Sequence, residues 1–183
     1  MGVDVTVLDF LLKFRGKIHG QVLQLGRQAL HIPQDPKSRI FAAAETVFKK
    51  CDTSTPFVDL FSSTGYTEAL FSYLGAGQLQ SIDASRYERA DLVHDLNIPV
   101  GDDLKERFHV IFDGGTVEHI FDIRMVFENV TRMLKSDGLF LSVNGANNWL
   151  GHGFYQFSPE LCGARSREAP DMTCNSSSWL KSA

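Results

Sequence analysis

Three short apolar runs in this chain each finish on an aspartate: QLQSID at Asp83, DLVHDL near Asp95 and HVIFD at Asp113. A fourth, QVLQL at 21–25, stops at Gly26, and a fifth, LFLSVN, comes after the last helical stripe. Runs of this length bounded by turn residues read as strands. Because helices or helix-length connections separate them, they imply crossover units, and therefore a doubly wound, mostly parallel α/β sheet with helices on both faces. The carboxyl ends of parallel strands share one edge, and ligands bind in the crevice outside it. Gly26, Asp83, Asp95 and Asp113 are candidate site residues on that ground.

The connecting segments carry a helical period. Val5, Leu8, Leu11 and Leu12 share one face, which predicts an N-terminal helix within residues 1–19 that Gly16 and Gly20 interrupt. Ser38 is placed to cap a second helix through Ile40, Phe41, Ala44, Val47 and Phe48 to about Lys50. Tyr66, Ala69, Leu70, Tyr73 and Leu74 form a third, stopped by Gly75. Ile123, Val126, Phe127, Val130, Met133 and Leu134 give the clearest stripe, closed by Lys135 and an SDG turn. TPFVDLF reads either as an extra strand or as a buried loop.

A chain of 183 residues, 43% of them hydrophobic, builds one sizeable core. We expect a single domain over 1–162 and a polar, serine-rich, disordered tail over 163–183. The net charge of -4 and the lack of a basic run exclude nucleic acid as the main partner. Cys51, Cys162 and Cys174 have no paired spacing, as expected of free thiols in a reducing compartment. Asp4 and Asp9 break the apolar run that an export signal would keep. Nothing approaches the ~20 apolar residues of a membrane span. These features predict a cytoplasmic protein that makes no use of a membrane.

From about Gly20 to Glu160 the pattern resembles class I S-adenosylmethionine-dependent methyltransferases, which implies a Rossmann-like fold and S-adenosylmethionine as cofactor. In that family the acid ending the second strand binds both ribose hydroxyls, a task suited to the two oxygens of Asp83. Asp83 would equally suit the ribose of a nicotinamide dinucleotide, but the GxGxxG which that cofactor requires is absent. HDLNIP resembles the acid-and-proline stretch after the third strand, which implies Asp95 at the adenine amino group and Leu96 as an adenine neighbour. FHVIFDGGTVEHIFD is similar to the family's fourth strand and adjoining loop, where an EH or HH pair is frequent. NNWLGHGFYQFSPE resembles the endings of uncharacterised methyltransferase-like proteins, some associated with sugar or polysaccharide biosynthesis.

Two features depart from the family. Its first strand leads into a GxGxG-type loop, whereas here only Gly26 is present, with Arg27 and Gln28 next to it. Either Arg27 pairs with the methionine carboxylate in place of backbone contacts, or the cofactor binds weakly or not at all. The family sheet also continues with two more strands, which this chain stops short of. The resemblance thus implies an unprotected sheet edge that favours a dimer.

Methyl transfer is an in-line displacement, so the protein must align donor and acceptor and remove a proton. His119 is the candidate base, with Glu118 orienting it or binding an acceptor hydroxyl. His152 and Tyr155 are candidates for the acceptor pocket, with Phe154 and Phe157 beside them. The competing reading has Glu118 and His119 starting a helix and the aromatics packing as core or lid. A metal site of His119, His152 and Asp113 lacks any local ligand spacing such as HExxH, and no metal is assigned. The expected function is S-adenosylmethionine-dependent methyl transfer to a small, sugar-related molecule. The alternative is a non-catalytic binding or interaction protein of the same fold.

Overall fold

The computed structural model describes residues 2–158 and 161, so the predicted tail at 163–183 lies outside the described residues. Along the chain the elements are β1 (Gly2–Val3), α1 (Val5–Leu12), β2 (Gly20–Leu25), β3 (Ala29–Leu30), α2 (Arg39–Lys49), α3 (Glu68–Leu74), β4 (Ala76–Asp83), β5 (Leu92–Val93), β6 (Phe108–Asp113), α4 (Ile123–Met133) and β7 (Leu134–Ser142). Five strands form one parallel sheet in the order β5-β4-β2-β6-β7. Counted along the chain, this is the 3-2-1-4-5 order of a Rossmann-like sheet, which reverses direction between β2 and β6.

Alternate strand residues point to opposite faces, and both faces are covered. On one, Val22, Val110, Phe112 and Leu141 pack with α1, α2 and α3; on the other, Leu23, Leu25, Ile111 and Phe140 pack with α4. The predicted α/β architecture with helices on both faces is therefore present. Side chains start three of the helices: Asp4 accepts from the Val7 N–H, Ser38 from Ile40 and Asp122 from Met125. Gly75 ends α3 with φ +112°, and a Cβ there would lie 2.6 Å from the Ile18 carbonyl oxygen.

Four local expectations need correction. The N-terminal helix covers only Val5–Leu12, because Gly2–Val3 pair with Ala29–Leu30 and Asp4 caps the first helical turn. DLVHDL shortens to the two residues of β5. At its start the Asp91 carboxylate accepts from Ser81 N–H and Oγ, and beyond it the Asp95 carboxylate turns the chain by accepting from Asn97. TPFVDLF becomes a short 3-10 helix, Phe57–Leu60, with Phe57 and Leu60 buried. The SDG stretch lies inside β7 rather than in a turn, next to a register shift opposite Phe108 and Val110. No helix among the described residues is long and apolar enough to cross a membrane. Cys51 is unpaired and exposed; Cys162 and Cys174 lie outside the described residues.

Beyond the end of α2, Asp52 accepts from the backbone N–H and hydroxyl of both Ser54 and Thr55, from Tyr73 OH and from Arg15, which also lies over the Tyr73 ring. The Ser54 and Thr55 bonds hold the Asp52 carboxyl far below its usual range, while burial and the bond to Asp52 push Tyr73 up to about 12. The lowered group adds stability above its unfolded pKa of about 4, lost as pH falls toward its folded value. The raised phenol adds stability below its unfolded pKa of about 10, lost as pH rises through about 12. Thermal unfolding measured across pH should fall off on both sides of a plateau, and Tyr73→Phe should lessen the alkaline fall. An alkaline arm unchanged in that variant would refute the assignment.

Candidate functional site

The sheet register sets the candidate residues level along one edge. Leu25 stands opposite both Ile82 and Asp113, Asp83 opposite Val93, and Asp113 opposite Ser142. Asp83 is half-buried: one oxygen accepts from the Ser85 N–H at 3.1 Å, and the other accepts nothing from the described residues. Asp95 is exposed two residues past β5, where its bonds to Asn97 hold its carboxyl below the usual range. Leu96 points into the core beside α4 at 5% exposure, so its side chain is core packing rather than an adenine contact. Asn129 pins this loop by accepting from the Val100 N–H and donating to the Leu96 and Ile98 carbonyls.

At the reversal of strand order, side chains fill the crevice. Gly26 adopts φ +68°, and a Cβ there would meet Thr116 Oγ1 at 2.7 Å. Thr116 Oγ1 donates to the Leu25 carbonyl at 2.6 Å, and Gln28 Nε2 donates to that carbonyl at 2.6 Å and to Thr116 Oγ1 at 3.1 Å. Arg27 binds Glu68 at 2.9 and 2.6 Å through Nε and an Nη, and its guanidinium lies 3.9 Å above the Tyr66 ring. It borders a cleft of about 450 Å³ together with Ser63, Thr64, Tyr66, Tyr87 and Arg89; Gly26, Asp83 and Asp95 do not line that cleft.

Asp113 is fully buried and engaged by the protein itself. Its oxygens accept from the Thr116 and Val117 N–H groups, Ser142 Oγ and Asn144 Nδ2. Burial pushes its carboxyl upward, against the pull of these donors. The residue ties the end of β6 to the end of β7 and has no oxygen to offer a ligand.

Past Asp113 the chain makes a 3-10 turn, Val117–His119, and then the separate helix α4. Glu118 and His119 thus do not begin that helix. The loop after β7 wraps this turn. The Glu118 carbonyl accepts from Phe154 and Tyr155 N–H, and Glu118 Oε2 accepts from the Gly145 N–H at 2.8 Å. A Cβ on Gly153 would meet the Glu118 carbonyl oxygen at 2.7 Å, which requires glycine there, and one on Gly145 would press on the Trp149 ring at 3.0 Å.

The wrap brings His152 to the pair. Glu118 Oε1 lies 3.4 Å from His152 Nε2 and 3.7 Å from His119 Nε2, and the two imidazoles meet edge to face with centroids 5.0 Å apart. Glu118 is 1% exposed and Oε1 has no hydrogen-bond partner among the described residues, while the imidazoles of His119 and His152 are 44% and 36% exposed. Burial pushes the Glu118 carboxyl upward; burial and the adjacent His152 ring push His119 downward. Trp149 packs on His152 at 5.0 Å, and the Tyr155 hydroxyl donates to the Phe121 carbonyl. Phe121, Trp149 and Phe154 remain solvent-exposed around the cluster.

The structure therefore joins Glu118, His119, His152 and Tyr155, and it corrects the metal grouping: Glu118, rather than Asp113, faces the two histidines. Sequence reasoning missed Thr116, Gln28 and Glu68, which occupy the surroundings of Gly26 and Arg27, and Gly145, whose N–H fixes Glu118. The N-G pair at Asn144–Gly145 is the one local signal there, a turn-type dipeptide that forms no turn and whose partner Glu118 is far away in sequence. No family model matches the chain, and no curated protein or solved structure is significantly similar to it.

Proposed function

We propose that this Rossmann-like domain transfers a methyl group from S-adenosylmethionine to a small-molecule acceptor, one bearing hydroxyls as a sugar does. The carrying observation is the position of an imidazole, His119, with a buried carboxyl group and a second imidazole, past the fourth strand of a sheet whose second strand ends at Asp83. The ribose end of the cofactor fits: Asp83 keeps one oxygen free of the described residues at the edge where such sheets bind nucleosides. The methionine end fits less well, because Glu68 already holds Arg27 and the Gly26 crevice is filled. The cofactor, when bound, supplies an electrophilic methyl group. His119 removes the acceptor's proton, Glu118 and His152 fix the geometry, and the rings of Trp149, Phe121 and Phe154 flank the acceptor.

A second reading, a non-catalytic binding protein, is favoured by Thr116 and Gln28 filling the crevice at Gly26. Calorimetric titration with S-adenosylmethionine separates the two. Methyl transfer predicts saturable binding that Asp83→Ala weakens by about tenfold or more, the worth of a charge-assisted bond to the ribose. Absence of binding by folded protein, or equal affinity in the variant, would reject the cofactor assignment. Labelled methyl transfer to a panel of sugar-related acceptors tests the chemistry.

A further inference from the structure

We infer that Glu118, His119 and His152 form a binding site for a divalent transition-metal ion of the zinc type. Each offers one ligand atom, a carboxylate oxygen or an imidazole nitrogen, and these atoms all lie within 4.8 Å of one another. Donors sharing one tetrahedral zinc at about 2.1 Å stand about 3.4 Å apart. The observed 3.4 Å between Glu118 and His152 meets that spacing, and 3.7 Å between Glu118 and His119 is close to it. Small rotations of two half-exposed rings close the remainder.

A second observation points to a cation. Glu118 Oε1 is buried in a residue 1% exposed and lacks a hydrogen-bond partner among the described residues, although its companion Oε2 is satisfied by the Gly145 N–H. A buried carboxylate oxygen without a partner is costly, and here it aims between two imidazole nitrogens. The ligand set of two histidines and one carboxylate leaves at least one coordination position open toward solvent, as in catalytic rather than structural zinc sites. The protein holds the ligands from both sides: the Gly145 N–H fixes the carboxylate, and the Phe154 and Tyr155 N–H groups tether the His152 loop to the Glu118 carbonyl.

An imidazole that ligates a metal through Nε2 cannot also take up a proton there, so on the methyl-transfer reading the metal-bound and the proton-accepting forms of His119 are alternative states of one site. The binding itself needs no cofactor, and its test is independent of that reading.

The test titrates zinc chloride into the full-length, untagged, chelator-treated protein, with cobalt(II) absorption as a second readout. One equivalent should bind, and cobalt should give the visible bands of a tetrahedral site. His152→Ala and His119→Ala, both at part-exposed positions, should each weaken zinc by about 100-fold or more, since even an outer-shell partner is worth roughly 10–100-fold. Both should abolish the cobalt bands and remove the zinc-induced rise in melting temperature, with metal-free melting temperatures near that of the parent. His19→Ala, outside the cluster, should bind as the parent does. No zinc uptake by the parent, or undiminished uptake in both cluster variants, would overturn the assignment.

Discussion

Asp113→Ala should lower the folding free energy by about 3–4 kcal/mol, a large part of the roughly 5–15 kcal/mol that holds a domain together. The carboxylate is fully buried and gathers four donors from two strand ends. Ser142 and Asn144 can turn to each other, since their side chains already stand 2.6 Å apart. The Thr116 and Val117 N–H groups have no such recourse, and each stranded buried donor costs about 1–3 kcal/mol. Asp113→Asn should cost less than Ala: its carbonyl still receives the Thr116 N–H, although its amide opposes the Asn144 amide. Urea unfolding measures both, and an unchanged slope with a lower midpoint is the expected form. A loss below about 1 kcal/mol in the Ala variant would mean the tie between β6 and β7 is not needed.

Glu118→Ala should act on the chemistry more than on the fold. Loss of the carboxylate strands the buried Gly145 N–H, at about 1–3 kcal/mol, and leaves His119 and His152 without the group between them. The Glu118 carbonyl still tethers Phe154 and Tyr155, so the loop stays near the turn. On the proposed function, methyl transfer should fall by about 10²–10⁴-fold, the range ascribed to positioned acid–base groups. S-adenosylmethionine affinity should be nearly unchanged, because Asp83 lies on the other side of β2. Equal rates in the variant and the parent, measured with labelled cofactor, would remove Glu118 from the mechanism.

The fold was legible where local pattern suffices. The α4 stripe, the Gly75 stop and the level strand ends at Gly26, Asp83 and Asp113 come from periodicity and from the geometry of parallel sheets. The features that pattern missed depend on residues distant in sequence. β5 is short because Asp91 and Asp95 spend their carboxylates on Ser81 and Asn97, a choice that the apolar run DLVHDL does not reveal. Arg27 looked free for a carboxylate ligand, but Glu68 is brought to it by the packing of α3. Asp113 and Glu118 looked alike as acids near a strand end. They differ because one accepts from Ser142 and Asn144, whereas the other accepts, among the described residues, a hydrogen bond from the Gly145 N–H at one oxygen and leaves its second facing the two imidazoles.

The reversal of strand order also divides the crevice between two stretches of chain. On the proposed function the nucleoside side would rest on β2, β4 and β5, whereas Glu118, His119 and His152 all belong to the loops that leave β6 and β7, with α4 between them. A change of acceptor therefore asks only for new side chains in two loops of one β-α-β unit. The half that the proposed function gives to a nucleoside can then stay fixed while the other half diversifies.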